Sequence, residues 1–353
     1  MKQKEFLKFV NFISRDYRIF GPIREKEEIL IGEIKRGEEI DFSGKVPLYP
    51  YKYFFFPPAE TIFKYKGASL KPNFEFSRLC LFGMTVFDLK AVNLYNHVFE
   101  KDPYYQRRVE NMLVIGQSSF PDSLRTSRHR GVGGEKEGTE FFLEKYEENI
   151  LEHIPFDIFF GTRKKAFKVF TGSDKGKAVL ESFGYKNYEH IQFAGPIKEE
   201  GVALYPSPER SEGRMVQGLN PEMIKIRDKM KNNFNPKIWE ELGKICISCG
   251  RCSLFCPTCF CFAVDDEMGL KSNTGERKRV WSSCFYQNFS EIAGGHKFLD
   301  TTAKRIHNWY YHKFVRIPDE FGFPGCTGCG RCQRVCPVDI DIRKILERIK
   351  RSK

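Results

Sequence analysis

The sequence predicts an α+β protein. A mixed α/β domain is expected over residues 1–200, a linker with a leading helix over 201–236, and an all-α domain over 237–353. Three observations carry this reading. Short apolar runs such as Leu79–Phe82 and Met112–Gly116 alternate with helical stretches such as Asp88–Phe99, as in a layered α/β sheet. The stretch Gly195–Gly218 is rich in Gly, Pro, Ser and charge, which makes it the best boundary in the chain. Beyond it, helical patterns bracket two cysteine runs of one form, Cys246-x2-Cys249-x2-Cys252-x3-Cys256-Pro257 and Cys326-x2-Cys329-x2-Cys332-x3-Cys336-Pro337.

Taken in order, Lys4–Ser14 carries Phe6, Leu7, Val10, Phe12 and Ile13 at the spacing of a short amphipathic helix. Tyr17–Ile23 and Glu28–Ile34 read as strands. In Lys52–Phe63 the tandem Pro57-Pro58 stops any strand, and the aromatic run before it reads as core or interface. Asp88–Phe99 reads as a helix with Leu89, Val92, Leu94, Tyr95 and Val98 inward. Ser118–Gly138 reads as a mobile surface loop, because no G-x-G-x-x-G follows a strand there. Phe156–Phe160 and Ala166–Thr171 resemble strands, and Lys175–Phe183 a helix. Helices are then expected at Pro221–Asn233, Pro236–Leu242 and Thr301–Phe314. A closing helix repeats Ile342, Ile345, Leu346 and Ile349 at i, i+3, i+4, i+7 beneath a basic outer face.

The cysteine runs carry the chemistry. Their spacing is that of ferredoxins holding two [4Fe–4S] clusters. Three thiolates on one tight loop can serve three irons of a cubane, and Gly250 and Gly330 let the backbone wrap closely. The fourth cysteine serves the other cluster in such pairs, and the proline after it suits a first helical turn. The expected ligands are therefore Cys246, Cys249, Cys252 and Cys336 for one cluster, and Cys326, Cys329, Cys332 and Cys256 for the other. A zinc ribbon needs two CxxC pairs but explains neither the third cysteine nor the Cys-Pro ending. A colourless zinc scaffold is the competing reading.

Composition sets the remaining bounds. Twelve cysteines in 353 residues are too sparse for a disulfide scaffold, so a reducing cytoplasm is expected. The stretch Met1–Leu7 has no long apolar core, so no signal peptide is expected, and no run is long enough to span a membrane. The net charge is +12. Residues 236–353 hold 20 Lys+Arg and 13 Asp+Glu, a net +7, which two anionic clusters would largely offset. The basic face reads as solvated or partner-facing, not as a nucleic-acid surface.

A resemblance becomes specific between the two runs. Cys256-Pro-Thr-Cys259-Phe-Cys261-Phe, Trp281-Ser-Ser-Cys284, Ala293-Gly-Gly-His296 and the second cysteine loop resemble the beta subunit of cytosolic NiFe sulfhydrogenases. They are also similar to the dicluster subunit of anaerobic sulfite reductase, which belongs to the same group. Lys52–Phe63, Leu81–Leu89 and Asp102–Arg108 extend the likeness over nearly the whole chain. The resemblance implies an electron-transfer subunit. It would relay between a reductase subunit that binds flavin and NAD(P)H and a catalytic subunit, either hydrogenase or sulfite/sulfur reductase. In one departure, the family often carries cysteines near positions matching Val86–Asp88 and after Val114–Gly116, where this chain has none.

Four cysteines lie outside the ligand sets. Cys80 reads as a buried small hydrophobe. Cys259, Cys261 and Cys284 read as structural thiols near the first cluster, as an extra thiol site for metal or sulfane sulfur, or with Cys259 replacing Cys256 as ligand. No acid/base pair, nucleophile triad or nucleotide loop is visible, so electron transfer is expected here and catalysis in a partner. The alternative is a sulfur-handling reductase using Cys259, Cys261 and Cys284 directly. Arg251, Arg331 and Arg334 beside the loops, and apolar surface at Phe54–Pro58, are the expected docking features.

Overall fold

The computed structural model describes residues 1–74, 76–118, 150–163, 166–195, 202–203, 215–216, 221–232, 236–270 and 273–352. Most of the expected loop at 118–138 and of the expected linker at 195–218 lies outside these. The chain forms two compact units. The first comprises Met1–Phe55 with the described parts of Phe74–Gly131 and Tyr146–Pro196; the second comprises Phe56–Asn73 and the described parts of Ile197–Lys353.

The first unit begins with α1 (Gln3–Ile13), whose Phe6, Phe9, Val10 and Ile13 are buried. The N-terminal ammonium is fixed by the Phe167 carbonyl and the Tyr185 hydroxyl, both at 2.7 Å. β1 (Arg18–Glu25) and β2 (Glu28–Glu33) form a hairpin, and α2 (Lys52–Phe55) is a single turn. The chain passes through the second unit as β3 (Ala59–Lys66) and β4 (Ser69–Pro72). It returns as β5 (Leu79–Met84), α3 (Val86–Val98), α4 (Pro103–Glu110) and β6 (Met112–Gln117). α3 starts where the Thr85 side chain accepts from the Asp88 N–H. β7 (Ile158–Arg163), β8 (Ala166–Thr171), α5 (Asp174–Ser182) and β9 (Glu189–His190) complete the unit.

The seven strands order as β2-β1-β5-β6-β7-β8-β9. β1, β5, β6 and β7 run parallel, with antiparallel pairings at β1/β2 and β7/β8. The inner strands β5 and β6 are buried almost throughout, as a parallel sheet covered on both faces requires. Cys80, fully buried in β5, packs as the small hydrophobe expected.

The second unit holds the two-residue ladder β10 (Val202–Ala203) and β11 (Met215–Val216). After it come α6 (Pro221–Asn232), α7 (Pro236–Ile245) and α8 (Arg251–Leu254). Then follow β12 (Phe262–Met268), β13 (Thr274–Trp281) and α9 (Thr302–Tyr311). α9 runs into a π-helical stretch at His312–Arg316 and then α10 (Ile317–Phe321). α11 (Arg331–Arg334) and α12 (Ile342–Arg351) close the chain. Ile342, Ile345, Leu346 and Ile349 of α12 are all buried, each contributing about 2 kcal/mol.

The expectation of an all-α C-terminal domain needs correction. β12 and β13 lie between the cysteine loops and form a four-stranded sheet in the order β12-β13-β3-β4. These strands show no apolar alternation, and every residue of β12 is exposed. The backbone ladder holds the hairpin, and exposed cross-strand charges complement it: Arg277 bonds Asp266 at 2.6 Å and Lys278 bonds Glu267 at 2.5 Å. The apolar surface expected at Phe54–Pro58 is largely spent in packing, as the core reading of the aromatic run has it. Phe55 and Phe56 are buried, and Phe56 stacks on Trp281, whose indole N–H donates to the Phe56 carbonyl at 2.9 Å.

Candidate metal centre

The two cysteine loops repeat one backbone solution. Gly250 and Gly330 each follow the second cysteine with left-handed φ of 76° and 70°, and each opens a one-turn helix, α8 or α11. At Gly250 an added Cβ would stand 2.9 Å from the Ser283 Oγ, so the turn is also closely packed. One residue before the second cysteine, Gly328 has φ 77° and Ser248 has φ 56°. The non-glycine at this position is braced: its hydroxyl meets Thr302 Oγ1 at 3.1 Å and accepts from Arg305 at 3.3 Å. Such a conformation costs a non-glycine residue roughly 1–2 kcal/mol.

The thiols gather in two neighbouring groups. Cys246 interacts electrostatically with Cys249 and Cys336, and Cys252 with Cys246, Cys249 and Cys336. One cavity is lined by Cys246, Cys249, Cys252 and Cys336, with Cys332 at its wall and Ile306, Trp309 and Tyr310 behind. In the other group Cys326 interacts with Cys256 and Cys329, and Cys332 with Cys326, Cys329 and Cys256. Cys252 also feels Cys256, and Cys332 feels Cys252, so the groups adjoin. The grouping crosses the sequence: Cys336 stands with the first loop and Cys256 with the second.

Backbone donors already face the sulfurs. The Ser248 N–H donates to Cys246 Sγ at 3.4 Å and the Ile340 N–H to Cys336 Sγ at 3.3 Å. Burial pushes the thiols of Cys246, Cys252 and Cys332 up, and that of Cys326 to about 12. Neighbouring thiols reinforce the effect. Thiolates so placed need a cation, which bound iron would supply. Among the described residues, no three His, Cys, Asp or Glu converge as a single ion would require. An all-thiol set shared between two loops suits a cluster, in which each iron takes its own cysteine.

Cys256 differs from the others. Burial would push its thiol up, but a hydrogen bond with Cys259 and the Lys313 charge hold it well below the ordinary thiol range. Cys259, hydrogen-bonded to Cys256 and buried, is pushed up correspondingly. Cys284 is pushed up by a hydrogen bond with Cys261 and by burial. Thus Cys259, Cys261 and Cys284 do come together beside the loops. Cys256, not Cys259, is the residue whose charge acts on Cys326 and Cys332. His307 packs on Trp239 and Tyr311, His312 on Phe260, and His296 on Phe298. His312 is lowered to about 4 by burial and by the Lys313 and Arg316 charges.

The sequence reading missed Thr258, Arg305 and Lys313. Arg305 is 4% exposed and Lys313 2%. The only signal was a basic residue set among Tyr310, Tyr311, Phe314 and Val315, inside a helix too apolar to present it to water.

Comparison with known proteins agrees with the geometry. Residues 245–340 match the 4Fe-4S dicluster domain family. The C-terminal region carries a 4Fe–4S dicluster domain. The whole chain is similar to sulfhydrogenase 2 subunit beta of Pyrococcus furiosus, with 28% identity over 349 residues, covering 98% of this chain and 96% of that protein. The resemblance to sulfhydrogenase beta subunits is thereby borne out. No solved structure matches the chain. Among the described residues, no helix is long and apolar enough to cross a membrane.

Proposed function

We propose that this protein is an iron–sulfur electron-transfer subunit of a multi-subunit oxidoreductase. Cys246, Cys249, Cys252 and Cys336 would hold one [4Fe–4S] cluster, and Cys326, Cys329, Cys332 and Cys256 the other. The crossed grouping of these eight thiols supports the reading most directly. When bound, each cluster supplies reversible one-electron transfer. The protein fixes the loops, directs N–H groups at the sulfurs and screens the site with Ile306, Trp309 and Tyr310. Because the groups adjoin at Cys252, Cys256 and Cys332, they form a two-stop path.

A one-electron relay needs a two-electron partner on at least one side. The name of the Pyrococcus relative places that protein in a sulfhydrogenase, which supports a hydrogenase or sulfur/sulfite reductase partner here. The other partner would be a flavin and NAD(P)H-binding reductase subunit, and the compartment the cytoplasm. Arg251 and Arg334 are exposed and can meet an acidic partner, but Arg331 is fully buried and cannot. Direct sulfur handling by Cys259, Cys261 and Cys284 is less favoured: Cys259 and Cys284 are buried with thiols pushed up, the opposite of an activated nucleophile.

The test is cluster reduction by NAD(P)H with and without the co-purifying flavoprotein, over a salt series. Reduction is expected only with the flavoprotein, slowing as salt screens Arg251 and Arg334. Direct reduction of the isolated chain by NAD(P)H would refute the relay.

A further inference from the structure

We propose that the Lys313 ammonium raises the reduction potential of the cluster held by Cys326, Cys329, Cys332 and Cys256, and so makes the second loop the electron-accepting stop of the pair. This rests on the ligand reading above. Lys313 is 2% exposed, yet its Nζ meets three acceptors: Cys256 Sγ at 3.1 Å, Thr258 Oγ1 at 2.9 Å and the Gly325 carbonyl at 3.0 Å. Thr258 spends its own proton on the Gly325 carbonyl at 2.7 Å, so it accepts from the lysine. Three acceptors use three N–H donors, which only the charged ammonium has.

The backbone is built to place this charge. Lys313 lies in the π-helical stretch His312–Arg316, a widened turn of the kind that often marks functional positions. Its carbonyl accepts from the Gly325 N–H at 2.9 Å while its side chain donates to the Gly325 carbonyl. The residue thus grips the second loop next to Cys326 at two points and reaches across to Cys256 of the first. Arg305, the buried cation of α9 beside the first loop, bonds Ser248 and Thr302 and no sulfur, and its charge reaches Cys246 only as the weakest of the influences on that thiol. The two cations are therefore not equivalent.

A fixed positive charge in a buried site favours the state that carries one more electron, and the N–H···S bond acts in the same direction. Removing the charge should make that cluster harder to reduce and leave the other nearly unchanged.

The experiment is an anaerobic redox titration followed by electron paramagnetic resonance on the full chain and on Lys313→Gln and Lys313→Arg. The signal of the second cluster is identified as the one lost in Cys329→Ala. In Lys313→Gln, with iron content unchanged, the ratio of reduced to oxidised second cluster at fixed potential should fall at least tenfold, ~59 mV for one electron. Lys313→Arg should stay nearer the wild type. Equal potentials in wild type and Lys313→Gln would overturn the proposal. So would loss of the cluster from Lys313→Gln, since the residue would then be a structural clasp alone. A wild-type chain lacking two clusters would instead overturn the ligand reading.

Discussion

Replacing Cys336 should damage the cluster of the first loop, although Cys336 belongs to the second run. The structure sets Cys336 against Cys246 and Cys252, and aims the Ile340 N–H at its sulfur. Two cubanes hold about eight irons, so losing one complete cluster leaves about four, and losing a single corner iron leaves about seven. Cys336→Ala should therefore contain about four to seven irons. Its residual spectrum should match that of Cys249→Ala, whose residue belongs to the first loop on either ligand scheme. Cys256→Ala should resemble Cys329→Ala instead. It should also unfold more easily, by about 3 kcal/mol, because the buried Lys313 ammonium loses its charged partner and keeps only neutral acceptors. The assay is iron analysis with paramagnetic resonance on the four variants, plus denaturant unfolding of Cys256→Ala. A Cys336→Ala spectrum matching Cys329→Ala would refute the crossed arrangement.

Two further outcomes follow from the packing. Glu60 pairs with Arg279 at 2.5 Å across β3 and β13, with side-chain exposures of 7% and 9%. Glu60→Gln should cost about 3 kcal/mol in denaturant unfolding, the low end for a broken buried pair because the guanidinium also faces the Phe56 and Phe262 rings; a change below about 0.5 kcal/mol would show that the pair carries no such load. At Gly325 an added Cβ would meet Ile317 Cδ1 at 2.6 Å and the Lys313 backbone at 2.8 Å and 2.9 Å. Gly325→Ala should destabilise the second loop by about 1–3 kcal/mol and speed iron loss to a chelator, whereas wild-type retention would count against the tight Lys313–Gly325 contact.

What the sequence revealed depended on how each element is stabilised. α1 and α12 bury apolar stripes, α3 is apolar and buried on nearly every side, and β5 and β6 are continuous apolar runs, so their residues declare them. The cysteine runs declare a metal centre because ligand spacing is a covalent constraint. β12 and β13 stayed hidden because Asp266, Glu267, Arg277 and Lys278 lie along their ladder, and no hydrophobic period marks them. The acidic run opposite a basic run was the available signal. β3 was hidden differently: beside the short adjacent β4, its longer ladder is with β13, some two hundred residues later and beyond any local pattern. Lys313 and Arg305 carry no motif of their own, and only the burial of their helix sets them apart from the other basic residues.

Eight crossed thiols holding two cubanes would carry iron and sulfide in equal number. The most direct measurement is iron and acid-labile sulfide per chain in protein purified without oxygen. About eight of each are expected. Zinc in place of iron, with no labile sulfide, would contradict it.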